Sequence, residues 1–503
     1  MPCETESPAL LQKLEQLPDD VQQPDYPINS YGVGIVHFGL GAFHKAHQAF
    51  YTDAALAQSG GDWKIVSVSL RSAEIPRQLN EQRGLFTLIT RSNDSTTARV
   101  VGSIDHALSG AENSREILEL LVSPSIRIVT STITEKGYGI DPASGEVDLS
   151  NPVIVNDLDQ QADPQGFIGF IVRALLIRRL KGIPAFTVLC CDNLPDNGQF
   201  LRSGVLDFAQ RYDSDCASWI ADNVTFPSSM VDRITPAPTA DTRKLATQLT
   251  GVKDLAAIEC EPFHQWVIED KFPLGMPDWS AAGALLTQQL RPYEQMKLRM
   301  LNGTHSLMAY GGFLTGCTYI RDVMANNYLR ILVRRHLLEA MSTLEAVPGI
   351  ELSEYANELE SRFSNTAIAH ETFQIAMDGS QKMPQRIFSP AVDAIERGQS
   401  VRSFALATAL WIRYCAGKTD SGVNYTIQDP RAEELSNAAA NDADTQHKID
   451  LFSNLEGLIP PFLINNDDWN NLLAYFLDDL WSGGVSNCLE REARRLNASI
   501  DSN

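Results

Sequence analysis

Short apolar runs separated by helical patterns dominate the first half of the chain. Ile35-Val36-His37-Phe38 reads as a buried strand, and Trp63 to Leu70 alternates apolar and polar positions like a second one. Leu85 to Thr90, Ala98 to Val101, Ile126 to Thr134 (a strand and its exit) and Pro184 to Cys190 continue the series. Helical patterns fall between them, from the turn after Phe38 through Gln58, from Ser114 to Leu121 and from Phe167 to Leu180. Strands that alternate with helices predict an α/β fold with a Rossmann-like, doubly wound, mainly parallel sheet. Beyond Leu285 the strand signals fade. Helical periodicity takes over at 294–316, 324–346, 353–364, 387–397, 402–415 and 468–481. The pattern therefore predicts an α/β domain over 1–285 and a mostly α-helical domain over 286–503. Only Asn437 to Thr445 reads as low in complexity.

Composition narrows the class. At 503 residues the chain is too long for one ordinary core. Hydrophobic content of 44% and charged content of 21% are those of a soluble globular protein. The formal net charge of −22 argues against nucleic acid or an anionic membrane surface as a partner. No apolar run approaches the ~18 residues that a membrane span needs. Met1 to Pro18 carries three glutamates and lacks the basic start of a secretory signal. Eight cysteines are scattered without a C-x-x-C, and only Cys190-Cys191 are adjacent, a usage that favours reduced, mostly buried thiols. These readings place the protein in the cytoplasm, acting on a small molecule. They set no oligomeric state and are compatible with a monomer.

Two stretches carry candidate chemistry. The first follows the strand at Ile35: Gly39-Leu40-Gly41-Ala42-Phe43-His44 leads into a helix. A strand, a G-x-G turn and a helix N-terminus make a phosphate cradle, because glycine permits close backbone approach and the first N–H groups face the anion. His44 stands where the usual fingerprint has its third glycine. Glu74, past the second strand, can accept hydrogen bonds from an adenosine ribose and repel a 2′-phosphate, which favours NAD(H); Arg71 nearby softens that preference. The exits of the later strands, Thr132 to Glu135 and Asp192-Asn193, supply polar groups where such sheets bind ligands.

The second stretch is Lys297-Leu-Arg-Met-Leu-Asn302-Gly-Thr-His305. On an α-helix these three polar residues would fall at about 0°, 140° and 80°, so that one flank carries an amine, a carboxamide and an imidazole. Oxidising a secondary alcohol with nicotinamide requires a hydride to leave carbon and a proton to leave oxygen. A lysine can take that proton, and Asn302 and His305 can stabilise alkoxide character on the same oxygen. Such a device needs no metal. Nine histidines and eight cysteines are present, but no H-E-x-x-H and no cysteine cluster with zinc-ligand spacing. His44 and His47, three residues apart, are read as packing and hydrogen-bonding locally. Tyr293-x-x-x-Lys297 has the Tyr/Lys spacing of short-chain dehydrogenases, but it lies too far from the glycine turn and is read as coincidence. A nucleotide-binding protein that has lost its chemistry is the competing class, and the intact Lys/Asn/His set argues against it.

Taken in order, Gly39-x-Gly41-Ala-Phe-His44-Lys-Ala-His47-Gln, Thr132-Ile-Thr-Glu-Lys-Gly-Tyr138, Cys191-Asp-Asn193, Met230-Val-Asp232-Arg233 and Lys297-x4-Asn302-x2-His305 resemble the mannitol dehydrogenase family, the polyol-specific long-chain dehydrogenases and reductases. The likeness runs from about residue 30 to 485. It implies NAD(H) held at Gly39, Gly41, Ala42, Phe43, Arg71, Glu74 and Thr132, and metal-independent catalysis with Lys297 as acid/base. It further implies that Asn302 and His305 orient the reacting oxygen, that Glu294 gates proton exit, and that Asn193, Asp232 and Lys382 contact substrate hydroxyls. The segment His370 to Arg386 looks like that of fructuronate reductases, in which Lys382 and Arg386 would meet a carboxylate. The expected reaction is D-fructuronate/D-mannonate interconversion, with mannitol 2-dehydrogenase as the alternative.

Overall fold

The computed structural model describes residues 8–142, 144–440 and 444–500. The chain divides into two compact units, the first ending at Leu290 and the second beginning at Arg291.

Among the described residues the first unit contains eleven strands: β1 (Val33–Phe38), β2 (Lys64–Ser69), β3 (Phe86–Arg91), β4 (Thr96–Val101), β5 (Ile104–Ser109), β6 (Ile128–Ser131), β7 (Thr187–Cys190), β8 (Ser229–Asp232), β9 (Ile258–Cys260), β10 (Gln265–Glu269) and β11 (Leu285–Thr287). Five of them form an all-parallel sheet in the order β5-β2-β1-β6-β7. The alternation read from the sequence is the reason for two covered faces. Val36, Phe38, Val66, Val68, Val129 and Val188 share one apolar cluster with Ile117, Leu121, Phe167 and Phe170 of the helices Gly110–Val122 and Phe167–Lys181. Ile35, Ile65, Ile128 and Leu189 point the other way, into a cluster with Ala46, Ala49, Tyr51 and Leu56. A side chain such as fully buried Phe38 contributes ~1.5–3 kcal/mol through burial alone. The first unit is thus a doubly wound, Rossmann-like domain.

Two three-stranded sheets, β11-β10-β8 and β4-β3-β9, flank this core. β11 pairs in parallel with β10, so the first unit continues past 285, where the fading of apolar runs had suggested a boundary. β5 was missed because it is the sheet edge. Its Asp105 and His106 pair with each other at 2.8 Å and break the apolar run.

The second unit is helical. Arg291–Met296, Lys297–Asn302 and Gly303–Leu314 run on from one another, and Gly303–Leu314 is buried at every position but one. It packs against Arg402–Cys415 and Asn327–Ser342. The helix expected from 324 begins instead at Asn327, because Asn326 caps it by accepting from the N–H groups of Tyr328 and Leu329. Asn437 to Thr445 falls partly outside the described residues; its first residues close the helix Ala432–Ala440. The cysteines among the described residues are free thiols, all buried except half-buried Cys317. Among the described residues, no helix is long and apolar enough to cross a membrane.

Candidate active site

The chain turns from β1 to β2 to β5 on one side of the sheet and from β6 to β7 on the other, which makes the gap between β1 and β6 the topological switch point. Parallel doubly wound sheets bind ligands there, beyond the strand carboxyl ends. Phe38 lies beside Ser131, and Ser131 beside Cys190, so the exits at Gly39, Thr132 and Cys191-Asp192 stand side by side.

At the first exit, Gly39 has φ +110, and a Cβ on it would lie 2.1 Å from the Thr132 carbonyl oxygen. Only glycine fits. At Gly41 the nearest atom to such a Cβ is 3.9 Å away, so glycine here leaves the backbone open rather than relieving a clash. The helix starts at Ala42, and the first bond along it runs from the Lys45 N–H to the Gly41 carbonyl. The N–H groups of Ala42, Phe43 and His44 precede it and are the natural anion donors. These features fit a dinucleotide pyrophosphate.

Buried histidines support the turn from beneath. His37 Nε2 lies 2.9 Å from Thr132 Oγ1 and 3.2 Å from the Gly39 carbonyl, while Nδ1 lies 2.7 Å from Thr130 Oγ1. Thr132 Oγ1 donates to the Gly39 carbonyl at 3.0 Å, which assigns the His37 proton to Nε2. Burial pushes His37 down to about 3, so it is neutral. His44 stacks on it at 3.5 Å and meets Ser67 Oγ at 2.9 Å; His47 meets the Gln265 carbonyl at 2.9 Å. Both are packed and hydrogen-bonded, but to partners distant in sequence rather than local ones. Among the described residues, no three His, Cys, Asp or Glu side chains converge as a metal-ligand set. Glu74 opens the helix Glu74–Glu81, is exposed like Arg71, and accepts from Gln78 Nε2 at 2.9 Å.

At the third exit, Asp192 accepts from the N–H groups of Ile133 (2.9 Å) and Thr134 (3.1 Å) and from the Tyr138 hydroxyl at 2.5 Å. It holds Thr134 at φ +67, a left-handed conformation that costs a non-glycine residue ~1–3 kcal/mol. Burial raises the Asp192 carboxyl above its ordinary value. Asn193 follows it directly, and Asp232 sits buried at the end of β8.

In the second unit, Lys297, Asn302 and His305 are all buried, on one continuous helical run. Lys297–Asn302 is not α-helical: it is a π-turn, so angles drawn on a regular helical wheel do not apply across it. The extra residue of a π-turn re-aims side chains, and such turns recur at functional sites. Gly303 resumes the α-helix, and a Cβ on it would lie 2.9 Å from the Arg386 carbonyl and 3.3 Å from His336 Nε2. That close approach accounts for a glycine in mid-helix. Arg386 belongs to another π-turn, Pro384–Phe388, and donates from Nη1 to the Asn302 carbonyl at 3.4 Å. His305 is held well below its ordinary value by burial, then by the charges of His370, Arg386, Arg362 and Lys297. It is a neutral imidazole, and its buried Nε2 has no hydrogen-bond partner among the described residues. Half-buried Glu294 lies three residues before Lys297.

Lys382 donates to the carbonyls of Met377 (2.6 Å) and Ile375 (3.3 Å), and burial with the Arg386 charge lowers it to about 8. Burial lowers Arg386 to about 10. Neither is a solvated surface charge. Sequence reasoning did not single out Arg362, whose charge acts on His305, or His370 as an individual residue; no local pattern marks either.

The mannitol dehydrogenase Rossmann domain matches residues 33–281 and the mannitol dehydrogenase C-terminal domain matches residues 289–456. The chain is 41% identical to the D-mannonate oxidoreductase of Escherichia coli strain K12, over 93% of this chain and 97% of that one. It is 43% identical to the uncharacterized oxidoreductase YdfI of the same strain, over 85% and 88%. The solved Pseudomonas fluorescens mannitol 2-dehydrogenase, a ternary complex with NAD and D-mannitol, superposes with a TM-score of 0.86 at 38% identity, covering 96% of this chain and 99% of that one. The chain belongs to the mannitol dehydrogenase family of oxidoreductases.

Proposed function

We propose that this protein is an NAD(H)-dependent oxidoreductase that interconverts a ketose acid and its alcohol, D-fructuronate and D-mannonate, with Lys297 as general acid/base. The observation that carries the chemistry is the burial of Lys297, Asn302 and His305 on one helical run, with His305 held neutral. When bound, the nicotinamide accepts a hydride from the carbinol carbon or returns it. Gly39, Gly41, Ala42, Phe43 and Thr132 hold the dinucleotide, with Glu74 and Arg71 at its ribose. In the oxidative direction Lys297 takes the carbinol proton; in reduction it returns that proton to the oxygen. Asn302 and neutral His305 donate hydrogen bonds to the same oxygen and stabilise its developing charge. Glu294 passes the proton towards solvent.

Asn193 and Asp232 serve substrate hydroxyls, and Lys382 and Arg386 favour a carboxylate-bearing substrate through their half-buried positive charge. The likeness to D-mannonate oxidoreductase supports the acid; the likeness to the solved mannitol 2-dehydrogenase favours mannitol/fructose as the second reading. Initial rates with NAD on mannonate, altronate, mannitol and arabinitol decide between them. Mannonate is expected to lead, and a wide preference for mannitol overturns the choice of acid.

A further inference from the structure

His305 is not the only imidazole in its neighbourhood with an unused nitrogen. The His370 ring stands edge-on to it, with centroids 5.1 Å apart and planes at 86°. His370 Nδ1 is enclosed and, like His305 Nε2, has no hydrogen-bond partner among the described residues. A buried imidazole nitrogen without a partner is costly, and two in one cluster mark a place where a polar ligand completes the bonding.

The backbone at His370 is firmly held. The His370 carbonyl accepts from the Ile320 N–H at 3.0 Å, and the Thr372 N–H donates to the Thr318 carbonyl at 2.9 Å. Thr372 Oγ1 adds a bond to the Cys317 carbonyl at 2.8 Å, and Tyr319 bridges to Glu371. The segment is thus stitched to 317–320 at His370 and at the two residues after it. The helix Leu352–Phe363 covers the same ground: the Phe363 ring lies 4.9 Å from the His305 ring, and the Arg362 charge acts on both imidazoles. Lys297 and Arg386 complete a positive surrounding for His305.

We propose that His370 is a specificity-determining residue that donates to the carboxylate end of the substrate, which lies beyond three CHOH carbons from the carbinol whose oxygen His305 holds. This assignment rests on the sugar-acid reading above. A neutral imidazole supplies one N–H, and the cations around the pair favour an anionic acceptor over a hydroxyl.

The test is steady-state kinetics of the full-length enzyme with NAD, comparing mannonate and mannitol in His370→Ala and His370→Asn, with melting temperatures taken alongside. Loss of one hydrogen bond to a charged group predicts that His370→Ala raises KM for mannonate about tenfold or more, with kcat for mannitol within about twofold of wild type. His370→Asn, which keeps a donor, recovers part of the mannonate affinity. Equal losses on both substrates, or no loss on either, in a wild type active on mannonate, overturn the His370 assignment alone. Wild-type activity confined to mannitol overturns the assignment together with the sugar-acid reading.

Discussion

The two units offer their candidate residues in different materials. In the first, the proposed site is backbone: a glycine at φ +110 against the Thr132 carbonyl, an open glycine two residues on, and the first N–H groups of a helix. In the second it is side chain: an amine, an amide and an imidazole buried on a run that departs from α-geometry. A backbone site tolerates many side chains and few added atoms. A side-chain site depends on a handful of functional groups and on the local distortion that aims them.

Lys297→Ala gives the largest effect. Removing the proposed proton acceptor is expected to cut turnover ~10²–10⁴-fold while the Kd for NAD stays close to wild type. Loss of NAD binding in this variant would blur the division of labour between the units.

The glycine pair gives the next effect, and it separates structure from ligand approach. Gly39→Ala sets a Cβ against the Thr132 carbonyl and is expected to lower the melting temperature, at a cost of ~1–3 kcal/mol. Gly41→Ala meets nothing inside the protein and should melt like wild type, yet weaken NAD binding about tenfold. Unchanged NAD affinity in Gly41→Ala would dismiss the cradle.

Acid sensitivity follows from the buried histidines beneath the turn. Burial depresses His37 and His47 to about 3 in the folded state. As pH falls below the unfolded value of about 6.5, the unfolded chain takes up their protons first, so stability declines towards pH 3 and is regained as pH rises. Each contributes up to ~1.4 kcal/mol per pH unit inside that window. Urea melts between pH 7 and 4 should show the slope, and His37→Asn should reduce it; a flat profile contradicts the neutral network.

Cofactor choice gives the smallest effect. Glu74→Gln should raise the NADP/NAD ratio of kcat/KM by no more than about tenfold, because the carboxylate is exposed and screened.

The same contrast explains what could be read from the sequence. Short apolar runs placed β1, β6 and β7, and period-two alternation placed β2, because both signals depend on residue type alone; the G-x-G turn lies at the exit of β1. The edge strand β5, with Asp105 and His106, and the three-residue strands β9 and β11 carry too little apolar signal to be found. The π-turns at Lys297–Asn302 and Pro384–Phe388 were invisible, since i→i+5 bonding arises from packing rather than propensity. Gly303 is costly in mid-helix and sits at a close approach, but its partner, the Arg386 carbonyl, is distant in sequence. For the same reason Arg362 and His370 join His305 only in three dimensions.

The role of Lys297 is tested most directly by chemical rescue: Lys297→Ala assayed with saturating NAD and mannonate, without and with small primary amines. The expected result is turnover reduced by orders of magnitude, partly restored as amine is added, with NAD affinity constant. Near-normal turnover without added amine would contradict the account.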